Sequence, residues 1–498
     1  MIFDYVILGL YVLGMVAIAF FTRNRSKTVN DFLHAGKKGL NGWMTAFAYG
    51  TTYFSAVIFI GYAGNFGIKY QLAATWIGIG NAIIGALVAW LVLAKRTKTM
   101  TRKLVAKTMP DFFEKRYGSK NLKLVSAIVI FIFLIPYSAS VYNGLSSLFE
   151  TVFNIEGWII MIALAVITAI YLFFGGYFAT ALSDFIQGII MLIGVVLMII
   201  FFLNHDNVNW DISTLKWFTF DSSKTGLYGD TVSLISLILL TSFGVWALPQ
   251  TVHKYYAIRD GKKSIMQGTV ISTIFALVIG FGAYFVGGLS RLFPEVSGIP
   301  GDNVVPHMLR LVIPVGVMGI ISVLILSASM STLSSVSLAS ASVVAVDIYK
   351  GKINPEAQDK KVNTLMRVLC LVFVAISVVL AILNEELKIS AIAFMMGLSW
   401  GTLAGCFIGP YVLGLFFKKI SVPAVWTSII GTLVLTISLT IVFGYDICGW
   451  TGSFGVAIQK GLTCSPMIGV ICMIFSIIST LVVSLFTKRP SNMHLDLS

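Results

Sequence analysis

Charge is what this sequence has least of. Only 11% of its 498 residues are Asp, Glu, Lys or Arg, where a soluble domain carries about 25%. Hydrophobic residues make up 57%, and the mean hydropathy is +0.91. So few charges cannot cover a soluble globule of this length, which excludes a soluble enzyme and a disordered chain. Histidine is scarce, with five along the chain, and no HExxH, CxxC or Walker A sequence occurs. Metal-dependent catalysis and ATP hydrolysis therefore lack their usual ligand spacings and phosphate cradle. Five cysteines are too few for a disulfide framework. Cys370, Cys406 and Cys472 lie in apolar stretches and read as small core residues, while Cys448 and Cys464 share a loop where one disulfide could form.

What the sequence has in quantity is apolar runs of bilayer length. A helix of about 20 residues crosses a membrane. Thirteen such spans are expected, near 3–21, 43–62, 72–94, 124–148, 157–174, 182–203, 231–253, 266–289, 311–346, 364–383, 390–417, 421–443 and 465–487. The fold class is all-α, a polytopic membrane protein. The first span is longer than a signal-peptide core and has no basic flank before it, so it reads as a retained helix. The net charge of +14 has a place in this layout without nucleic acid. Alternate loops hold 28 of the 35 Lys and Arg residues, which puts those loops, and the C-terminus, in the cytoplasm and the N-terminus outside. The loop 175–181 carries no basic residue, and its side follows from its neighbours.

A polar residue inside a span is expensive and points to function. Asp184 is alone in this respect: no other acid occurs between Glu156 and Asn204, and no Lys or Arg between Lys123 and Lys216. It reads either as a neutral or cytoplasm-facing carboxyl at a helix start, where the dipole favours it, or as a ligand for a bound cation. The ninth span carries Ser327, Ser329, Ser331, Thr332, Ser334, Ser335, Ser337, Ser340 and Ser342. Small residues let membrane helices pack closely, but here they also have an order. Ala328, Ser331 and Thr332 stand at i, i+3, i+4 on one face, and Ser331, Ser334 and Ser335 repeat the pattern one turn on. Hard cations are held by carbonyl, hydroxyl and carboxylate oxygens, so two stacked clusters suit one or two small monovalent ions.

A carbonyl is available to an ion only where a helix is broken. Span 2 contains Gly50-Thr51-Thr52-Tyr53-Phe54-Ser55, and span 7 contains Gly244-Val245-Trp246-Ala247-Leu248-Pro249, where Pro249 lacks a backbone donor. These spans open two successive five-span groups, 43–203 and 231–417, with 3–21 before them and 421–487 after. Five is odd, so the groups run in opposite senses through the membrane. Matched interruptions in inverted repeats point to a transporter binding site.

The stretch Ile170-Tyr171-Leu172-Phe173-Phe174-Gly175-Gly176, followed by Ser183-Asp184-Phe185-Ile186-Gln187-Gly188, resembles the sodium/solute symporter family, as does Met330-Ser331-Thr332-Leu333-Ser334-Ser335 running on to Asp347-Ile348-Tyr349-Lys350. That family includes bacterial proline, pantothenate and sialic-acid symporters and the sodium–glucose transporters. The resemblance covers about residues 1–445. It implies a leucine-transporter-like core of two inverted five-helix repeats and no enzymatic activity. It implies import of a small organic solute across the cell membrane with Na+ as the coupling ion. It implies a first sodium site from the carbonyls of Thr51, Phe54 and Ala328 and the hydroxyls of Ser331 and Thr332, and in some members a second at Asp184, Ser334 and Ser335. Solute would lie against Thr52, Tyr53, Ser55, Tyr137 and Trp246, beside the helix breaks at Gly50, Gly244 and Pro249. The proline symporters carry an Asp where this chain has Tyr53, and the sialic-acid symporters use an Arg where it has Ser138. The stretch 243–251 and Gly288-Leu289-Ser290-Arg291 resemble the pantothenate branch at scaffold positions, which leaves the solute open. Proton coupling through Asp184 is the alternative within this fold; a channel would need a continuous polar stripe, and a sensor would need a soluble output domain.

Overall fold

A computed structural model describes residues 2–23, 28–34, 39–219, 226–450 and 452–488. Arg25, Lys27, Lys37, Lys38 and Arg489, which enter the expected charge bias, lie outside the described residues. Among the described residues the chain is helical, with no strand and one isolated bridge between Leu40 and Ile258. Lipid offers no partner to a backbone amide, so each apolar run bonds to itself as helix. The main helices are α1 (Ile2–Thr22), α2 (Gly42–Thr51), α3 (Val57–Leu104), α4 (Lys120–Phe153), α5 (Gly157–Leu203), α6 (Asp230–Gly244) and α7 (Pro249–Ala257). They continue as α8 (Lys262–Gly288), α9 (Met318–Ile353), α10 (Asp359–Leu387), α11 (Ile392–Phe416), α12 (Val422–Ile447) and α13 (Ser465–Phe486).

Eleven helical runs among the described residues are long and apolar enough to cross a membrane. The thirteen expected spans fall on these eleven because α3, with 48 residues, and α5, with 47, each join two helices end to end across a non-helical residue. Each is longer than one crossing needs, and each changes direction inside. In α3, Gln71 has φ 55 and ψ −135. In α5, Gly176 has φ 65 and ψ −172, a conformation open essentially to glycine alone, which places a bend between the expected spans 157–174 and 182–203. The ninth span also needs correcting: it begins at Met318 rather than 311 and runs on to Ile353, because 301–312 forms a separate helix that ends before Pro314.

Burial orders the layers. The most apolar stretch of α9 is 94% buried inside the protein and that of α11 89%, against 22% for α1 and 33% for α12. The small side chains of α9 let it lie against α4 and α5 at the centre, and α2 packs on α5 and α8. Cys464 is a free thiol, so the Cys448–Cys464 bridge is not formed.

The far end of α9 is tied down by charge. Thr108 donates to both oxygens of the buried Asp347, at 2.6 and 2.8 Å. Lys123, at the start of α4, reaches Asp111 at 2.9 Å, Glu114 at 2.8 Å and Asp347 at 3.6 Å. The Asp111 carboxyl, on the short helix Met109–Tyr117, is pushed up by burial, but Lys123, Lys115 and the Lys107 N–H outweigh this and hold it below its usual value. Its folded value is thus below the unfolded one, so its contribution to stability is complete above about pH 4 and is lost as pH falls through the folded value. Asp347→Asn is expected to cost about 1.5–3 kcal/mol, the worth of hydrogen bonds to a charged group, read as a lowered Tm of the purified protein.

Candidate functional site

The interruption after Thr51 leaves backbone groups without helical partners, and α9 supplies side chains to meet them. The Ala56 N–H donates to Ser329 Oγ at 3.0 Å, and Ser55 Oγ accepts from the Val57 N–H at 3.2 Å as the chain re-enters helix. Ser331 Oγ lies 2.9 Å from the Thr51 carbonyl and 2.9 Å from that of Ala328. Thr332 Oγ1 lies 3.3 Å from Thr51 O, 3.4 Å from Phe54 O and 3.1 Å from Ala328 O. Five oxygens, from Thr51, Phe54, Ala328, Ser331 and Thr332, therefore converge where the broken end of α2 meets α9. All five residues are buried. Three carbonyls and two hydroxyls with no charged neighbour among them form a donor set that suits a monovalent hard cation.

The residues expected to hold a second ion meet something else. Asp184 is isolated along the sequence but not in space: its Oδ2 is 3.5 Å from Nζ of Lys254. Lys254 donates to Ser335 Oγ at 2.9 Å, and its ammonium lies 5.1 Å from the centre of the Tyr177 ring. Ser334 is not part of this group, because its hydroxyl donates to the Ser331 carbonyl within its own helix at 2.9 Å. The sequence places Lys254 among the loop charges, but it is 2% exposed in α7 and belongs to the protein interior. Without it, 27 of the 35 basic residues still lie on the same alternate loops.

The expected solute residues separate into groups. Tyr53 and Tyr137 flank Trp400, with ring centroids 6.4 and 5.5 Å from it. The hydroxyls of Tyr53 and Tyr137 and the Trp400 indole N–H are buried without hydrogen-bond partners. Buried polar groups are normally satisfied, so these three leave hydrogen-bonding capacity on one aromatic cluster. The Tyr137 hydroxyl also lies beside those of Thr332 and Ser55, which joins the aromatic cluster to the five oxygens. Thr52 sits elsewhere: its hydroxyl bonds the Ala48 carbonyl and lies 3.2 Å from Ser335 Oγ, on the side of the Asp184–Lys254 pair. Trp246 donates to the Ile84 carbonyl at 3.0 Å and packs on Phe243. Ser138 is buried with an unpartnered hydroxyl.

The residues named as breaks stand at helix ends. Gly50 is next to last in α2 and packs against Phe275; Gly244 ends α6, and Pro249 begins α7. A Cβ on Gly244 would lie 3.6 Å from Trp400, so the second break faces the aromatic cluster. The hydroxyl of Thr251 takes up the turn between the halves, donating to Val245 O at 2.7 Å and Leu248 O at 2.8 Å. Sequence reasoning missed Lys254 and Trp400. The signal for Lys254 is the largely uncharged setting between Val252-His253 and Tyr255-Tyr256-Ala257-Ile258; Trp400, inside an apolar run, gives none.

This arrangement has relatives. The chain is 29% identical to an osmoregulated proline transporter of Bacillus subtilis (strain 168), over 97% of this chain and 95% of the relative. It is 27% identical to a sodium/pantothenate symporter of Haemophilus influenzae, over 82% of this chain and 84% of the relative. Its fold matches that of a Na+-coupled sialic acid symporter solved in a substrate-bound outward-open state, with a TM-score of 0.74 at 18% identity over 99% of both chains. Residues 32–431 match the sodium:solute symporter family as a whole. The chain is thus a membrane transporter rather than an enzyme, and it belongs to the sodium:solute symporter family.

Proposed function

We propose that this protein imports a small organic solute together with sodium by alternating access. The observation that carries the reading is the convergence of Thr51 O, Phe54 O, Ala328 O, Ser331 Oγ and Thr332 Oγ1 between a broken helix and α9. Sodium held there favours the state in which α2 and α9 are close, and its differential affinity for that state drives the conformational shift. Movement of α9 away from the α2 break separates Thr51 and Phe54 from the two hydroxyls and releases the ion. The solute lies against Tyr53, Tyr137 and Trp400, with Ser55 and the Gly244 turn nearby. Because Tyr137 borders Thr332, solute and ion each raise the other's affinity by the same factor.

The charge bias supports an outward N-terminus and a cytoplasmic C-terminus in the cell membrane. The two breaks support two inverted repeats, 43–203 and 231–417. The aromatic pocket suits a solute with an apolar or ring face. Tyr53, Tyr137, Trp400, Ser55 and Ser138 themselves offer no positive charge, so a carboxylate would be held by hydroxyls or helix N-termini.

Thermal unfolding of the purified protein against amino acids, sugars, sugar acids and vitamins, with sodium or with choline, tests this reading. One compound is expected to raise Tm, and to raise it more in sodium. Stabilisation by every active compound to the same extent in choline would contradict it. Trp400→Ala is expected to weaken that compound by more than about tenfold, since a buried aromatic anchor is commonly worth about 2 kcal/mol or more. Stabilisation by sodium alone is expected to survive the change.

A further inference from the structure

We infer that the Lys254 ammonium is a tethered cation filling the place where Asp184 and Ser335 would otherwise gather a second ion, so that this transporter binds one sodium ion per cycle. The inference rests on the sodium-symport reading above and deepens it. Lys254 stands in α7, just past the second helix break, and its side chain crosses to α5 and α9. It donates to Ser335 Oγ at 2.9 Å and lies 3.5 Å from Asp184 Oδ2. Ser335 Oγ is itself 3.2 Å from Thr52 Oγ1, at the α2 break. The ring of Tyr177, 5.1 Å from the ammonium, adds a π face, which attracts a cation. Carboxylate, hydroxyl and aromatic face are the surroundings of a bound monovalent cation, and Lys254 has the same single charge as sodium.

Asp184 is fully buried and Lys254 2% exposed, so neither charge has solvent to turn to. The carboxylate is neutralised by one positive charge. A sodium ion added beside the ammonium would place two like charges on one buried carboxylate, which a low-dielectric interior disfavours. The lysine differs from an ion in one respect that matters to transport: it cannot leave. It gives the α5–α7–α9 junction its counter-charge without drawing on the sodium gradient. One sodium ion crossing about 100 mV with a tenfold gradient supports roughly 500-fold accumulation of a neutral solute, and two support roughly 10⁵-fold. Lys254 thus sets the lower of these two limits.

Equilibrium binding of ²²Na⁺ to the purified full-length protein tests the inference. The unmutated protein is expected to bind one sodium ion per chain with a Hill coefficient near 1, and Lys254→Arg is expected to do the same. Lys254→Ala opens the Asp184–Ser335 place and is expected to bind two, and the double variant Lys254→Ala/Asp184→Ala one. Two ions on the unmutated protein overturn the tethered cation and leave sodium symport standing. One ion on a folded Lys254→Ala also overturns it. No saturable sodium on the unmutated protein overturns the sodium reading itself. If Lys254→Ala does not fold, the stoichiometry of the unmutated protein and of Lys254→Arg still decides.

Discussion

Thr332→Ala is expected to weaken sodium binding by roughly 10- to 150-fold, the equivalent of about 1.5–3 kcal/mol for one oxygen contact to a charged partner. Thr332 Oγ1 is within 3.4 Å of three carbonyls that belong to both sides of the α2–α9 junction. No other side chain in the cluster reaches Phe54 O among the described hydrogen bonds. Removing the hydroxyl therefore takes one ligand from the ion and the tie to Phe54 from the junction. Thr332→Ser keeps the oxygen and is expected to stay within about threefold of the original affinity. Sodium-dependent thermal stabilisation, titrated from micromolar to molar NaCl with choline balancing ionic strength, reads both variants. The overall Tm in choline is expected to change little, because alanine suits a close helix contact as well as threonine does.

The second large effect is one of stability. Asp184→Ala is expected to destabilise the protein by about 3–5 kcal/mol, because it strands the Lys254 ammonium in the interior. Lys254→Met alone strands the carboxylate and is expected to cost a similar amount. The double variant Asp184→Ala/Lys254→Met removes both charges and is expected to recover most of the loss, since an apolar pair of similar volume is commonly neutral or better than a buried ion pair. Unfolding of the purified protein in mixed micelles, run as a double-mutant cycle, measures the coupling directly. A coupling near zero would contradict a paired Asp184 and Lys254. In the same variants, sodium affinity at the five-oxygen cluster is expected to remain within about threefold, because that cluster takes no atom from either residue.

Much of the site is legible in the sequence where the chemistry is local. Ser331 and Thr332 stand at i+3 and i+4 from Ala328 in one helix, so their common face follows from helical geometry alone. The breaks around Thr52–Ala56 and Val245–Leu248 announce themselves by glycine and proline against apolar flanks, and in the structure the helices stop at Thr51 and Gly244. The parts that stay hidden depend on where distant segments meet. Lys254 is 70 residues from Asp184 and close to a basic loop, so by composition it belongs with the loop charges. Only the packing of α7 against α5 and α9 turns it inward. Trp400 sits in an apolar run where one more aromatic carries no signal, and it acquires meaning by lying between Tyr53 and Tyr137. Thr52 is adjacent to Tyr53 in sequence, yet the turn sends its hydroxyl toward Ser335 and away from the rings. The separation of 157–174 from 182–203 by hydropathy has its counterpart in Gly176, whose non-helical φ and ψ set a kink where two helices meet end to end.

Uptake of the solute returned by the thermal screen, measured in proteoliposomes with sodium and pH gradients imposed separately, tests the central claim most directly. An inward sodium gradient at equal pH is expected to drive accumulation above equilibrium, and Thr332→Ala to shift its sodium dependence upward in concentration. An inward proton gradient in sodium-free buffer is expected to drive none. Accumulation on the proton gradient alone, without sodium on either side, would contradict the account.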